Sequence, residues 1–565
     1  MALLAMQSSL FAKQPEKRPN IFMLFADDAT VWDFGCYGNK VVKTPRIDQL
    51  AKEGVLFNNM FTPTPMCSPS RTVLYTGLYP FKNGCHPNHG ESKPGIKSMA
   101  HYMSALGYRV VLLGKHHIRP AANFPFEYYQ DGYPSGGCSL KPGPDAVRIL
   151  SNPGDKPLCI IMCKSDAHYG WPQNNHNYDP NKVDLPPYLV DTPITRQYRA
   201  NYYSKITDMD DCLGSVLDLL KKTNQEQNTL FMWAPDHGSQ WPHERQNVYD
   251  GALKMPFIAR WPGKIKPGTK TDALCSLVDI LPTFIDAAGG NVDELVTKCG
   301  GQDFDGKSVL PILLGQKSEH HKAVYGVVSY GPIEAYPMRS IRTKKFQYIW
   351  NIDSHFQYPS NWTMEGLPAF ESMNKLWKSW EEKAKTDAFA AERIRAEKYR
   401  PPEELYDIQQ DPYEMKNLAD DPSYQDVLAA MRQKLKTWMK QQGDNGDNAY
   451  HAEINPEDPF FEKVFCRQKI VNIKVDMIWN NPGERTNVRL TSPVWIAKIH
   501  YTLDGSEPTK DSPLYTKPFT VKPRITIKAK GFWDGDETPT RELKYWGPTP
   551  THIYEQMHLK PIFWP

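Results

Sequence analysis

Four short apolar segments, each followed by charged or histidine residues, constrain the fold of this chain most strongly. They alternate with stretches that have the spacing of amphipathic helices, and they occur at Ile21–Phe25, Arg109–Leu113, Leu158–Met162 and Leu230–Trp233. Short apolar runs alternating with helices are typical of a parallel sheet covered by helices on both faces. We therefore predict an α/β domain built on a large mixed, mostly parallel sheet.

The polar residues behind these four strands are expected to meet at one edge of the sheet. They are Asp27 and Asp28, Lys115 and His117, Asp166 and His168, and Asp236 and His237. Ligands of open α/β sheets bind at the carboxyl ends of the strands, so this edge is the predicted functional site. Lys115 and His117 are two residues apart and would point to the same side of an extended chain.

Two of these pairs have the composition of a metal site. Asp27 and Asp28 are adjacent carboxylates, which repel each other unless a cation neutralises them. Asp236 and His237 end the fourth strand in the same way. A set made mainly of oxygen ligands suits a hard divalent cation better than zinc. For each pair taken alone, a loop acid or a helix cap is the alternative.

Cys67 stands where a helix is predicted to begin. Pro63 and Pro65 disfavour a helix before it, whereas the segment after Arg71 is compatible with one. Free backbone N–H groups and the helix dipole favour an anion at such a position and lower the pKa of a thiol. A buried structural cysteine is the alternative interpretation.

The remaining sequence divides into further units. Apolar segments at 323–328 and 346–350 and a helical pattern near 424–441 predict a smaller α+β subdomain, which ends before the break GDNGDN at 443–448. Period-two alternation over 495–503 and 519–529 predicts a small all-β sandwich. The predicted units are an N-terminal tail (1–18), the α/β domain (19–320), the α+β subdomain (321–445), a linker (446–465) and a β module (466–565).

Charge and composition exclude several classes of protein. The 67 basic and 64 acidic residues leave a net charge of only +3, which argues against nucleic-acid binding. No run approaches the ~20 apolar residues of a membrane span. The ten cysteines form no CxxC pair, and any disulfide pairing stays open. The apolar start, Met1 to Ala12, lacks a basic region, so an export-signal remnant and a ragged terminus are both compatible with it.

The combined motifs resemble a known family. PNIFMLFADD, CSPSR followed by TVLYTG, GKHH, and PDHG with a downstream LKMP are similar to type I formylglycine-dependent sulfatases, of the alkaline phosphatase superfamily, over roughly 19–440. FNNMFTPTPMCSPSR, GKHHI followed by FPFEYY, and AYPMRSI resemble the sulfamidase-like branch. YTLDGSEPT and LYTKPF resemble chitobiase C-terminal or fibronectin-associated modules, for which a structural appendage and a sugar-binding module are both open readings.

The resemblance implies a chemistry for the predicted edge. A separate maturation enzyme would convert Cys67 to formylglycine, whose hydrate attacks sulfur with one hydroxyl and expels sulfate by collapsing through the other. One calcium ion, with magnesium or manganese as alternatives, would be held by four residues: Asp27, Asp28, Asp236 and His237. His237 stands where Asn or Asp is more usual, which weakens the assignment of calcium in particular.

The same resemblance implies roles for the other residues of the edge. Arg71 and Lys115 would hold the diol, and His117 would take its proton. His168 and Lys254 would bind sulfate, and His168 is the better acid because the pKa of an unperturbed imidazole, ~6.5, lies near working pH.

Substrate contacts are expected from four further residues, each with a structural ion pair or hydrogen bond as the alternative: Asp166, Arg245, Tyr249 and Arg339. Two histidine clusters, one at His86 and His89 and one at His320 and His321, are expected to lie at the surface, because no cysteine or acid stands at ligand spacing beside them.

The expected function is that of an exported, periplasmic or extracellular sulfatase acting on O-sulfate esters of a sulfated oligo- or polysaccharide. Lys254 favours an O-sulfate, since the sulfamidase type lacks a lysine there. The alternatives are an N-sulfoglucosamine sulfohydrolase (sulfamidase), a phosphomonoester or phosphonate ester hydrolase, and a catalytically silent carbohydrate-binding protein.

Overall fold

The structure is a computed structural model. It describes residues 18–131, 141–165, 167–330, 335–354, 358, 360, 362, 371–444, 446, 472–475, 486–492, 497–522, 524–533 and 536–545. Residues 1–17 of the predicted N-terminal tail, Asp166, Trp495 and nearly all of the predicted linker lie outside these residues. No helix within the described ranges has both the length and the apolar character that a bilayer crossing requires.

A nine-stranded mixed sheet forms the centre of the α/β domain. Its strands are β1 (Asn20–Ala26), β2 (Val55–Phe61), β3 (Arg109–Gly114), β4 (Glu127–Tyr129), β5 (Leu158–Cys163), β6 (Thr229–Pro235), β7 (Lys254–Arg260), β8 (Thr269–Thr271) and β9 (Cys275–Ser276). The spatial order is β4-β3-β5-β1-β6-β7-β2-β8, and β9 also pairs with β2. The four predicted strands β3, β5, β1 and β6 are confirmed, and they lie side by side in parallel.

Helices cover both faces of this sheet. They are α1 (Pro45–Glu53), α2 (Cys67–Thr76), α3 (Pro80–Asn83), α4 (Met99–Ala105), α5 (Pro144–Ser151), α6 (Pro193–Lys222), α7 (Asp250–Leu253), α8 (Ile280–Ala287), α9 (Val292–Cys299) and α10 (Leu310–Leu313). Alternate residues of β1 enter two separate cores, with Met23 in one and Leu24 in the other. A parallel strand buried on both faces reads as a continuous apolar run, which is why β1 shows no polar alternation.

The second unit is a four-stranded antiparallel sheet with flanking helices. Its strands are β10 (Val324–Tyr330), β11 (Ala335–Arg342), β12 (Phe346–Asn351) and β13 (Glu403–Asp407). Its helices are α11 (Glu371–Ala384), α12 (Ala388–Lys398) and α13 (Gln425–Gln441). The predicted strands and the predicted helix near residues 424–441 are confirmed.

The C-terminal module contains two antiparallel sheets. The strands are β14 (Asn472–Val475), β15 (Thr486–Thr491), β16 (Lys498–Thr502), β17 (Phe519–Val521), β18 (Ile525–Trp533), β19 (Asp536–Glu537) and β20 (Arg541–Tyr545). The alternation over 519–529 belongs to two strands, because β17 pairs in one sheet and β18 in the other. Arg489 of β15 is buried and forms an ion pair with Asp353 of the second unit at 2.5 Å, so the module is tied to that unit.

Candidate active site

The carboxyl edge of the central sheet brings the predicted metal residues together. β1 and β6 pair in parallel up to Ala26 and Pro235, so the pairs that follow them lie next to each other. The backbone N–H of Asp28 donates to the carboxylate of Asp236 at 3.2 Å. The four side chains Asp27, Asp28, Asp236 and His237 are fully buried. The end of a parallel strand pair therefore sets the positions of all four groups.

Two cations neutralise the first carboxylate of this group. Arg71 lies one turn after Cys67 on α2, and its guanidinium donates to Asp27 and, at 3.2 Å, to Asp236. The ammonium of Lys115 donates to the other oxygen of Asp27. Burial raises the pKa of Asp27, but the charges of Lys115 and Arg71 outweigh it and hold the pKa below its ordinary value.

Several buried polar atoms at this edge have no hydrogen-bond partner among the described residues, and two of them are potential metal ligands. These two are Oδ1 of Asp28 and Nε2 of His237, which lie 3.3 Å apart. Nδ1 of His237 lies 2.8 Å from the carbonyl of Gly238 and donates to it, so Nε2 carries the lone pair whenever the ring is neutral. Without a cation in the site, the charges of Asp236 and Asp28 outweigh burial and raise the pKa of His237 to about 9. Buried lone pairs without donors are costly, and a bound cation would satisfy both.

The donor set fits a divalent metal ion. One ligand atom each from Asp28, Cys67 and His237 lie within 4.8 Å of one another, and the same holds for Asp27, Cys67 and Asp236. Three carboxylates supply most of the donors, which favours a hard cation. The hydrogen bond from His237 to a backbone carbonyl is the contact that commonly orients a metal-binding imidazole.

Cys67 is the first residue of α2, as the sequence predicts, and its side chain is buried. Nη2 of Arg245 lies 3.4 Å from the sulfur, and Nη1 of the same residue lies 2.8 Å from the carboxylate of Asp28. Burial raises the pKa of the Cys67 thiol, but the charges of Lys115 and Arg245, with hydrogen bonds from two histidines, lower it well below the ordinary value. Position 67 thus favours a negatively charged group.

The pKa values of the two histidines beside Cys67 are shifted in opposite directions. Burial, together with the neighbouring His89, lowers the pKa of His117 to about 3, so this ring is neutral near pH 7. Nε2 of His168 lies 3.9 Å from Asp28, whose charge outweighs the effect of burial and raises the pKa of His168. A neutral imidazole accepts a proton, whereas a protonated one donates it. These shifts favour proton uptake by His117 and proton release by His168.

Three predicted site residues lie elsewhere. The charged neighbours of Lys254 are Asp250, Arg342 and Glu414, and within the described ranges it makes no hydrogen bond or ion pair with the Cys67 group. Tyr249 is buried and donates to the carboxylate of Glu404 at 2.8 Å.

Arg339 is fully buried and donates to Asp444 at 2.5 Å. For Tyr249 and Arg339 the structural alternative is therefore the one observed, whereas Arg245 reaches the reacting position itself. Asp166 lies outside the described residues.

Sequence reasoning missed two contacts of the site. Nε2 of Gln240 donates to Asp28 at 2.5 Å, and only its place four residues after Asp236 marks it in the sequence. His89, expected at the surface, is half-buried with Nδ1 2.9 Å from Nε2 of His117. The surface expectation is also wrong for His86, which is buried and stacked on Phe81.

The same expectation is wrong for His320 and His321, whose side chains are 8% and 16% exposed. No signal in the local sequence distinguishes these histidines, because their partners come from other segments of the chain.

Comparison with known families agrees with this geometry. Residues 19–290 match the sulfatase model, 238–370 match the N-sulphoglucosamine sulphohydrolase C-terminal model, and 481–542 match the chitobiase/beta-hexosaminidase C-terminal domain. The first match contains Asp27, Cys67, Lys115 and His237. The predicted division into a sulfatase part and an accessory β module thus has an independent counterpart in the matched families.

Relatives along most of the chain point the same way. An ulvan-active sulfatase of Formosa agariphila is 36% identical over 437 residues, which cover 76% of this chain and 81% of the relative. Human N-sulphoglucosamine sulphohydrolase is 28% identical over 469 residues, covering 74% of this chain and 89% of that protein.

A solved structure in complex with its substrate D-glucosamine-2-N,6-O-disulfate has the same fold, with a TM-score of 0.58, 21% identity and coverage of 76% of this chain and 99% of that one. The arrangement at the sheet edge and these similarities lead to one conclusion: the chain belongs to the sulfatase family.

Proposed function

We propose that this sulfatase hydrolyses O-sulfate esters on fragments of a sulfated polysaccharide. The observation that carries the proposal is a nucleophile position at a helix start, with Arg71, Lys115 and Arg245 around it. Three cations beside three carboxylates can hold the anionic sulfuryl group of a sulfate ester and a metal ion together. The ulvan-active relative supports a polysaccharide substrate. Export of the enzyme from the cytoplasm would bring it to such a polysaccharide outside the cell.

Formylglycine at position 67, made from Cys67 by a maturation enzyme, would supply a hydrated aldehyde that attacks sulfur through one hydroxyl and releases sulfate through the other. The chain fixes this position by its helix start, where the N–H of Ser68 donates to the side chain of Asn88 at 3.2 Å. Arg245 lies against position 67 and Asp28 at once, so it holds the nucleophile in register with the carboxylates.

The metal would be bound by Asp27, Asp28, Asp236 and His237, with calcium as the proposed ion. Bound there, it supplies positive charge that offsets the charge gathering on the sulfuryl oxygens. The orphaned atoms of Asp28 and His237 support this assignment. Arg71 keeps the carboxylates of Asp27 and Asp236 from turning away, since it donates to both.

Proton transfer is divided between the two histidines. We infer that the neutral His117 accepts the proton when sulfate leaves position 67, and that His168 protonates the leaving sugar oxygen. The opposite directions of their pKa shifts support these roles. His89 hydrogen-bonds the far nitrogen of His117 and so fixes which nitrogen faces position 67.

The choice of an O-sulfate no longer depends on Lys254, because this residue lies among Asp250, Arg342 and Glu414. It rests on the ulvan-active relative, whereas the likeness to N-sulphoglucosamine sulphohydrolase keeps an N-sulfate as the second candidate.

The test is an assay of released sulfate from matured protein, with ulvan oligosaccharides, N-sulfoglucosamine, an aryl sulfate and an aryl phosphate as substrates. We expect turnover of the O-sulfated sugars and the aryl sulfate, and none with Cys67→Ala. Faster turnover of N-sulfoglucosamine would select the second candidate, and faster turnover of aryl phosphate would contradict both. Mass spectrometry of the active-site peptide checks the modification, since a thiol retained in fully active protein would refute it.

A further inference from the structure

A second cluster of metal-binding side chains lies at the junction between the α/β domain and the antiparallel unit. It consists of Cys275 in β9, Asp279 in the 3₁₀ turn Leu277–Asp279, and His320 and His321 before β10. It shares no residue with the site around Cys67. One ligand atom each from Cys275, Asp279 and His320 lie within 4.8 Å of one another.

Asp279 is the centre of the contacts within this cluster. Nε2 of His321 lies 2.9 and 3.0 Å from the two oxygens of Asp279, which is an ordinary hydrogen bond. Nε2 of His320 faces the same carboxylate at a longer distance, 3.3 Å, and its charge and contact help to lower the pKa of Asp279. The side chain of His320 is only 8% exposed, and Cys275 is fully buried. Both imidazoles thus face Asp279, and the ligand atoms of His320 and Cys275 lie close to each other beside it.

The backbone holds these groups in place. The N–H groups of Ser276 and Lys307 donate to separate oxygens of Asp279, at 2.8 and 2.9 Å. The N–H of His321 donates to the carbonyl of Leu274, next to Cys275, at 3.1 Å. The histidine segment and the cysteine segment are thus fixed side by side although Cys275 and His320 are 45 positions apart in the sequence. A site organised in this way pays little entropy on binding an ion.

We propose that Cys275, Asp279 and His320 bind a zinc ion, while His321 holds the carboxylate of Asp279 in place. One sulfur, one oxygen and one nitrogen donor, with a water molecule as the fourth ligand, suit tetrahedral zinc, whereas calcium and magnesium take oxygen ligands. A thiolate and a carboxylate balance the charge of the ion, and binding replaces the proton of the Cys275 thiol by the metal. The ligands come from β9 and its following turn on one side and from the segment entering β10 on the other. The ion therefore acts as a structural crosslink between the two units.

The experiment uses the full-length protein after removal of bound metal, kept in excess calcium so that the other site is filled. Zinc binding is measured by calorimetry, and cobalt is used as a spectroscopic substitute that reveals a metal–thiolate bond. We expect one zinc ion per chain and a thiolate-to-cobalt absorption band. Cys275→Ser and His320→Gln should each weaken zinc binding by about 100-fold or more, since even the loss of an outer-sphere contact costs 10–100-fold.

Three matched variants separate this site from the rest of the molecule. Cys159→Ser and His86→Gln change a buried cysteine and a buried histidine elsewhere, and both should bind zinc as the wild type does. Cys67→Ala should keep the cobalt–thiolate band, which excludes the thiol of the candidate active site as its source. Sulfate release by Cys275→Ser and His320→Gln should stay near the wild-type rate, which also shows that they fold.

A measurement on the unaltered protein covers the case in which a variant fails to fold. X-ray absorption of the zinc-loaded protein should show one sulfur neighbour at about 2.3 Å with nitrogen and oxygen neighbours. The absence of a sulfur neighbour, or unchanged zinc affinity in Cys275→Ser, would overturn the proposal. It stands apart from the proposed function, because neither result depends on turnover of any sulfate ester.

Discussion

The two clusters of acidic and histidine side chains are assembled in different ways. Asp28 and His237 follow neighbouring parallel strands, so the sheet itself places them 3.3 Å apart. Asp279 and His320 meet at the same distance, 3.3 Å, through irregular segments on either side of a domain junction. Regular structure makes the first cluster visible in the sequence, and its absence hides the second.

The clusters differ equally in their electrostatics. Arg71 and Lys115 donate hydrogen bonds to the carboxylate of Asp27, and Arg245 donates to that of Asp28. Because these cations offset the charge of the carboxylates, the first cluster can bind an additional anion. In the second, the direct partners of Asp279 within the described ranges are two imidazoles and two backbone N–H groups. The first cluster is therefore suited to binding and reacting with a sulfate ester, and the second to a permanent ion.

The largest effect is expected from exchanging a carboxylate for an amide in each cluster. Asp28→Asn removes one charge from the metal ligands, and sulfate release should fall by about 1,000-fold or more, because a catalytic metal supplies several kcal/mol. Calcium affinity, measured by calorimetry, should fall with it. Asp279→Asn makes the same change in the other cluster and should leave sulfate release near the wild-type rate while weakening zinc binding. Equal losses of activity in both variants would refute the division of roles.

The next prediction compares Arg245 with Lys254 and tests which of these two cations binds the sulfate group. Arg245→Gln should lower kcat/KM for an aryl sulfate by about 100-fold, the usual cost of one donor to a developing charge. Arg245→Lys should restore part of this loss, since it returns the charge but not the two-pronged contact. Lys254→Gln, which alters the lysine expected from the sequence, should cost less than tenfold. A larger loss in Lys254→Gln than in Arg245→Gln would return the role to Lys254.

The regular elements of the α/β domain and the residues at their ends were predictable from the sequence. The strands β1, β3, β5 and β6 and the helix start at Cys67 were predictable, because buried parallel strands and proline-bounded helix starts have strong local patterns. The same patterns located the groups at the strand ends. The surroundings of Lys254 were not predictable, because a position along a strand does not show where a long, flexible side chain ends.

Contacts between distant segments were not predictable for a further reason. His89 and His117 are 28 positions apart, and Cys275 and His320 are 45 apart, and in neither case does a period connect the partners. Such pairs depend on how whole units pack, as does the burial of Arg339 and Tyr249. A single sequence shows the periodicity of residues within one helix or strand, but it does not show which distant loops pack against each other.

His86 is buried with no carboxylate beside it among the causes of its pKa shift, so its pKa shows the effect of burial without the acidic partners present in both clusters. Burial, reinforced by Arg339 and Lys93, lowers the pKa of His86 to about 3, so it is neutral when folded and takes up a proton on unfolding in acid. The unfolded state binds more protons below about pH 6.5, so stability falls there by up to about 1.4 kcal/mol per pH unit until the folded pKa is reached.

His86→Phe should remove this loss, because the ring still stacks on Phe81 but cannot be protonated. Urea unfolding at pH 5 should show the variant gaining about 1–2 kcal/mol on the wild type, relative to their difference at pH 8. The pH 8 measurement is the control, since residue 86 is neutral there in both states. An unchanged difference at the two pH values would show that His86 does not titrate on unfolding.

The smallest expected effect concerns the histidine pair beside Cys67. His89→Phe removes the contact to Nε2 of His117, so the neutral ring no longer has a fixed tautomer, and kcat for an aryl sulfate should fall about tenfold. KM should change little, because His89 acts through His117 and not on the substrate. His89→Gln keeps a polar group in the same place and should recover most of kcat. A variant whose KM rises while kcat is unchanged would instead place His89 in contact with the substrate, and the proposed positioning of His117 by His89 would be wrong.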